Sequence, residues 1–301
     1  MHIPKFSVVI PTYNRAHFLP RAISSVLNQT FTDFELIIAD DGSTDNTQEI
    51  INSIMDPKVK YIYQENAGGG AARNLGASIA KGEYLTFLDS DDEAMPQWLE
   101  HYFRVFESTN ADVICCGFER VAEAGHTIKE KIVLPKNMGP IFDDQVGMFT
   151  HGGTFALRRQ IFEALGGYAA DLTAGQHTEL AMRLIPLCRD QRWNIHNLDL
   201  PLIKYYLHSG PSIRKNYRAK YQGIKYVLEH HEAKLQRVPQ IYAIYLANAG
   251  VNAARLGDFV EARNLIFSAI RFQPWDWKNY GRMILTMVPS LGAAVWQRME
   301  T

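Results

Sequence analysis

The sequence predicts an α/β protein with a largely parallel sheet covered by helices on both faces, followed by an α-helical extension. Three observations predict it. Short apolar runs rich in β-branched residues alternate with segments whose apolar positions recur at helical spacing. Turns rich in Asp, Asn and Gly close the runs at their carboxyl ends. From about residue 216 the strand pattern stops and helical periodicity continues to the end. The expected domains are therefore 1–215 and 216–301.

The elements follow in order. Phe6 to Ile10 is a β-rich run ended by Pro11, and residues 16–29 carry a helical apolar pattern. Phe34 to Ala39 is a second strand, followed by a turn and a helix over 45–54. Val59 to Tyr63 is a third. Gly68-Gly69-Gly70 leads into a helix over about 70–80, and Tyr84 to Leu88 is a fourth strand. An Asp-rich turn and a helix from near Pro96 precede a fifth strand, Asp112 to Cys116. Residues 117–210 are less regular, with a helix over about 177–189. Ala253 to Arg263 reads as two helices joined at Gly257, like one tetratricopeptide-type unit. A single such unit cannot bury its own face, so it packs on neighbouring helices.

Composition narrows the function classes. At 301 residues, 47% hydrophobic and 21% charged, the chain has ordinary globular usage. A net charge of -1 provides no basic field for nucleic acid, so no nucleic-acid partner is expected. Cys115, Cys116 and Cys188 form neither a zinc spacing nor a disulfide framework and read as small buried hydrophobes of a reducing cytoplasm. The N-terminus runs straight into a strand pattern with no signal-peptide features, and no stretch reaches the roughly 18 to 20 apolar residues of a membrane span. The segment Trp275-Asp276-Trp277-Lys278-Asn279-Tyr280 has two readings. Helix packing explains it. So does peripheral contact with the inner face of a membrane, which would suit a lipid-linked acceptor.

In open α/β sheets, ligands sit outside the carboxyl ends of the strands. Those ends here carry Pro11-Thr12-Tyr13, Asp40-Asp41-Gly42-Ser43, Glu65-Asn66 and Asp89-Ser90-Asp91-Asp92. Gathered carboxylates are costly unless a cation or a donor-rich ligand compensates them. Asp89-Ser90-Asp91 offers hard oxygen ligands suited to Mg²⁺ or Mn²⁺, although an isolated Asp-Ser-Asp can equally cap a helix. Asp40 could accept hydrogen bonds from a base or ribose, or simply close a turn before a capped helix. The three glycines let backbone amides approach a phosphate. They belong neither to a Walker motif nor to the dinucleotide fingerprint.

Taken together, Val8-Val9-Ile10-Pro11-Thr12-Tyr13-Asn14, Asp40 to Asp45, Asn66-x-Gly68 with Ala72-Arg73-Asn74-x-Gly76, and Phe87 to Asp92 resemble the ordered motifs of family 2 glycosyltransferases. The resemblance spans roughly residues 5–215. It implies a GT-A-like, Rossmann-type nucleotide-binding sheet and inverting, metal-assisted transfer. The donor would be a nucleotide-diphosphate sugar, UDP-linked by family habit, and the acceptor a glycan or lipid-linked glycan. Pro11, Thr12, Tyr13, Asp40, Asp41, Arg73 and Ser90 would line the nucleotide, and Asp89 and Asp91 would flank a Mg²⁺ or Mn²⁺ ion and the diphosphate. Tyr205 to Ser212 resembles the family's closing loop, in which His208 would add a metal ligand or phosphate contact and Arg214 and Lys215 could hold phosphate.

One segment departs from the family. Where a catalytic Asp is usual, Gly175-Gln176-His177-Thr178-Glu179-Leu180 carries His177. Three explanations compete. In the first, His177 is itself the base, since an imidazole with an ordinary pKa of about 6.5 can take a hydroxyl proton. Glu179 or Asp171 could serve in a shifted acceptor pose. Alternatively the base is lost and the chain binds nucleotide sugar without transferring it. A helical interaction module carrying a degenerate transferase domain is a further rival.

Overall fold

A computed structural model of the chain describes residues 2–122, 128, 131–208 and 216–287. The chain divides into two compact units, Met1–Asp171 with Gln176–Ser209, and Leu172–Gly175 with Gly210–Thr301.

In the first unit, β1 (Phe6–Thr12), α1 (Leu19–Leu27), β2 (Phe34–Asp40), α2 (Thr47–Asn52), β3 (Val59–Tyr63) and α3 (Gly69–Ser78) alternate as expected. They are followed by β4 (Tyr84–Phe87), β5 (Glu93–Ala94), α4 (Trp98–Ser108) and β6 (Ala111–Ala122). Three two-residue strands, β7 (Ile132–Val133), β8 (Lys136–Asn137) and β9 (Val146–Gly147), precede β10 (Phe155–Arg158) and α5 (Arg159–Ala164). Last come α6 (Gln176–Gln191) and β11 (Asn194–Leu207).

The main sheet has the order β3-β2-β1-β4-β10-β6-β11-β5. The β3-β2-β1-β4 half is parallel, as the alternating pattern requires. The other half is mixed: β10 runs antiparallel to both β4 and β6, and β5 antiparallel to β11. The expected largely parallel sheet is thus corrected. β10 is a four-residue strand that no crossover helix precedes, so the chain enters it from the opposite edge.

Local sequence explains the helices. Leu19, Ala22, Ile23 and Val26 form the buried stripe of α1, which starts later than its apolar pattern because Pro20 occupies the first turn. Trp98, Leu99, Tyr102 and Phe106 do the same for α4. β1 and β2 are buried at every position, the mark of central parallel strands. All three cysteines are free and buried, and burial pushes the Cys116 and Cys188 thiols up to about 12. Such thiols behave as inert hydrophobes.

α3 lies close on β1 and β2 because Gly76 has no side chain. A Cβ there would press into Val9 Cγ1 and meet Ala39 Cβ at 3.4 Å. This close approach seats the helix that carries Arg73 beside the strand ends.

The second unit holds α7 (Tyr217–His230), α8 (Glu232–Gln236), α9 (Pro239–Arg255), α10 (Phe259–Phe272) and α11 (Trp277–Met287). The α9–α10 turn is made at Gly257, with φ +87°, and Asp258 caps α10 by accepting from the Glu261 amide at 3.0 Å. Ala253, Ala254 and Ala262 let these helices pack closely, with Tyr221, Phe259 and Leu285 around them. Among the described residues no helix is long and apolar enough to cross a membrane.

Gly76→Ala sets helix propensity, a gain of up to about 1 kcal/mol, against overpacking, a cost of about 1–3 kcal/mol. The contact with Val9 lies deep inside van der Waals distance, so the cost wins. A lower urea midpoint at unchanged slope is expected.

Candidate active site

The carboxyl ends of β1, β2 and β4 converge because these strands are register-paired neighbours, with Pro11 opposite Ala39 and Thr12 opposite Asp40. Thr12 is 3% exposed and its hydroxyl has no hydrogen-bond partner among the described residues. A buried, unpaired hydroxyl is costly, which marks it as a place for a polar ligand atom. Tyr13 beside it is exposed.

Asp40 and Asp41 are both buried and already engaged. Asp40 accepts from the Ser43 amide at 2.8 Å and the Tyr61 hydroxyl at 2.9 Å. Asp41 accepts from Gln64 Nε2 at 2.6 Å and from the Ala67 and Gly68 amides at 2.9 and 2.8 Å. Asp40 therefore closes the turn after β2, and Asp41 fastens the loop that leads into α3. One or two lone-pair sites on each carboxylate remain for a ligand. The Gly68 amide, expected to face a phosphate, is spent on Asp41.

Arg73 is the centre of the next group. Its guanidinium donates to Asp89 Oδ1 at 2.6 Å, to Gln176 Oε1 at 2.8 Å and to the Gly69 carbonyl at 3.1 Å. It also lies over the Tyr168 ring. Burial alone would raise the Asp89 carboxyl, but the Arg73 charge overrides it and holds Asp89 well below the usual carboxylate range. The second Asp89 oxygen accepts from the Gly152 amide at 3.2 Å.

His177, near the start of α6, is partly buried against Tyr168 and Phe155, and its Nδ1 lies 3.0 Å from the Tyr168 hydroxyl. Burial, then the positive charge of Arg73, push its pKa down to about 3. It is neutral at physiological pH. Glu179, the alternative base, is buried in a two-point pair with Arg183, at 2.7 Å for each bond. Asp171 is exposed.

Asp91 and His208 come together: Oδ2 and Nε2 are 3.1 Å apart, and Arg15 stands 4.0 Å from the same carboxylate. Of the expected trio, Asp91 pairs with His208, whereas Asp89 pairs with Arg73. Among the described residues no three His, Cys, Asp or Glu side chains gather as a metal centre. The remaining pair nevertheless fits a cation. Two neighbouring ligands of an octahedral Mg²⁺ ion, with bonds of about 2.0–2.1 Å, lie about 3 Å apart. Such an ion takes one or two protein ligands and completes its shell with phosphate and water. Buried Ser90 lies between the two carboxylates in sequence. The loop from Ser209 to Ser212, with Arg214 and Lys215, lies outside the described residues.

Sequence reasoning missed four participants. Asp92 is fully buried, accepts from the Tyr206 amide at 3.2 Å and has a second oxygen without a partner; burial and the Asp91 charge raise its carboxyl well above the usual range. Arg21 donates to the Asp91 carbonyl at 2.5 Å and stacks 3.6 Å from the Tyr206 ring centre. Gln176 and Tyr168 hold Arg73 and His177. Asp92 had a visible signal as the last residue of the acidic turn, and Gln176 stood beside His177 in the segment that departs from the family.

Comparisons place these features. The family model described as glycosyl transferase family 2 matches residues 7–166. The glycosyltransferase GlyG of Streptococcus pneumoniae is 43% identical over 111 residues, 36% of this chain and 37% of that protein. An uncharacterized glycosyltransferase of Rickettsia prowazekii is 33% identical over 178 residues, 55% of this chain and 54% of that protein. The chain thus spans about half or less of the length of these curated relatives. Among solved structures, Staphylococcus aureus TarS 1-349 in complex with UDP-GlcNAc aligns with a TM-score of 0.64 at 18% identity, covering 94% of this chain and 90% of that one. At that identity the likeness concerns the fold, and it bears out the GT-A-like sheet with C-terminal helices.

Arg73→Met leaves the Asp89 carboxylate without its cation. A loss of about 3 kcal/mol at pH 7 is expected, at the low end for buried pairs because Asp89 is partly exposed. A depressed carboxyl stabilises above its unfolded pKa of about 4 and loses that contribution as pH falls. The difference between variant and wild type should therefore shrink in urea titrations below pH 4.

Proposed function

Because the chain belongs to glycosyl transferase family 2, we propose that it is an inverting transferase. It would move a sugar from a nucleotide-diphosphate donor, UDP-linked, to a glycan or lipid-linked glycan. The observation that carries this reading is the Asp91–His208 pair at 3.1 Å beside the Arg73–Asp89 pair. One pair offers a cation seat and the other fixed charge, at the strand ends where a donor binds. The UDP-GlcNAc complex of TarS supports a nucleotide-sugar donor. The reading includes a cytoplasmic site of action, peripheral at the inner face of the membrane.

Each residue then has a task. The Thr12 hydroxyl and the remaining lone pairs of Asp40 and Asp41 meet the nucleoside, with Pro11, Tyr13 and Ser90 lining it. Asp91 and His208 hold Mg²⁺ or Mn²⁺. The chemistry that ion supplies when bound is neutralisation of the diphosphate leaving group. Arg73, fixed by Asp89 and Gln176, adds positive charge close by.

His177 takes the acceptor proton on Nε2, which requires the tautomer whose Nδ1–H donates to the Tyr168 hydroxyl. Its depressed pKa makes it a weak base in the free protein. An anionic diphosphate bound beside Arg73 offsets that cation and raises His177 towards a useful range. The same depressed pKa favours the second reading, a nucleotide-sugar-binding protein that does not turn over.

A panel of nucleotide sugars, with release of nucleoside diphosphate measured with and without EDTA, separates the two. Release that EDTA abolishes is expected. The kcat/KM profile should show no acid limb near pH 6.5, because in the free protein His177 stays neutral down to about 3. The kcat limb should lie higher. Donor binding without release, with turnover appearing only in His177→Asp, establishes the second reading.

A further inference from the structure

The loops that follow β1 and β2 are fastened to each other by an asparagine in a left-handed conformation. Backbone pairing between the two strands runs as far as the Asp41 amide, which donates to the Thr12 carbonyl at 2.9 Å. Beyond it side chains take over. Asn14 sits at φ +51°, a region costly for most side chains and tolerated by asparagine. There its Oδ1 accepts from the Thr44 amide at 2.7 Å, and from the Thr44 hydroxyl and the Asp45 amide at 3.3 Å each. In return the Asn14 amide donates to Ser43 Oγ at 2.9 Å, and the Ala16 amide to Asp45 Oδ2 at 3.1 Å. Ser43 is itself tied to Asp40, to which its amide donates at 2.8 Å.

We propose that Asn14 is a positioning residue of the donor site, an inference that rests on the nucleotide-sugar reading above. Burial does not call for this clamp. Thr44 and Asp45 are exposed, so water can serve their amides as well as a side chain can. What the clamp supplies is the placing of two neighbours. Tyr13, on one side of Asn14, is exposed at the nucleoside end. Arg15, on the other, reaches to 4.0 Å from the Asp91 carboxylate. The amides of residues 14 and 16 are both held by side chains of the loop after β2, so the backbone that projects Arg15 is fixed before and after it. The nucleoside wall and the Asp91 turn are thereby set in the free protein, and a ligand bound between them does not bear the cost of ordering the loop. A glycine would take the same backbone turn without strain but would leave both loops untied.

That difference provides the test. Asn14→Gly keeps the left-handed turn and removes the acceptor, while Ser43→Ala loosens the clamp from the other loop. UDP affinity in the presence of Mn²⁺ is measured by calorimetry on the full chain, and exchange of the Thr44 and Asp45 amides by NMR. In Asn14→Gly both amides should exchange faster, and UDP should bind about tenfold more weakly. Ser43→Ala should weaken UDP binding as well. The double variant should be little weaker than Asn14→Gly alone, because one clamp is lost once. A purely structural Asn14 would lower the urea midpoint of the glycine variant and leave the UDP affinity of the folded protein unchanged. That result overturns the proposal alone, and so do fully additive losses in the double variant. A wild type that protects both amides yet binds no UDP sinks the nucleotide-sugar reading, and this inference with it.

Discussion

The candidate site is organised by one ion pair, that between Arg73 and Asp89. A guanidinium as buried as this one requires a carboxylate close by. Asp89, at the turn after β4, provides it. The pair links α3 to that turn, while the other Arg73 contacts reach Gln176 at the start of α6. Three segments far apart in sequence are held at one place by a single side chain. Gly76 makes this reach workable by letting α3 lie flat on β1 and β2.

The pair also divides the labour among the acidic groups. Asp40 and Asp41 maintain the backbone turns at the end of β2, and Asp89 neutralises Arg73. Asp92 is buried, and burial with the Asp91 charge raises its carboxyl well above the usual range. Asp91 pairs with His208. The cost of crowding carboxylates at one sheet edge is thus met mostly by the protein's own donors. Burial first, and then the Arg73 charge against the opposing Asp89, hold the His177 pKa well below its usual value.

Much of the parallel half of the sheet was legible in the sequence, because β1, β2 and β4 are short apolar runs with acidic turns at their ends. The strand ends therefore pointed to residues that do lie at the carboxyl edge of the sheet. The antiparallel half was not legible: β10 has only four residues, and its placement between β4 and β6 is decided by tertiary pairing. Partner choice was equally hidden. Nothing local says that Asp89 turns to Arg73 while Asp91 turns to His208, since the two carboxylates are two positions apart and chemically equivalent.

The proposed site assigns Asp91, and not Asp89, as the carboxylate that would hold the cation, since Asp89 is paired with Arg73. Electron paramagnetic resonance of Mn²⁺ titrated into the protein with UDP tests it most directly, comparing Asp89→Asn with Asp91→Asn. The account predicts that Asp91→Asn abolishes the UDP-dependent bound Mn²⁺ signal, whereas Asp89→Asn keeps it in molecules that remain folded. Retention of the signal in Asp91→Asn, with its loss in folded Asp89→Asn, would contradict the account.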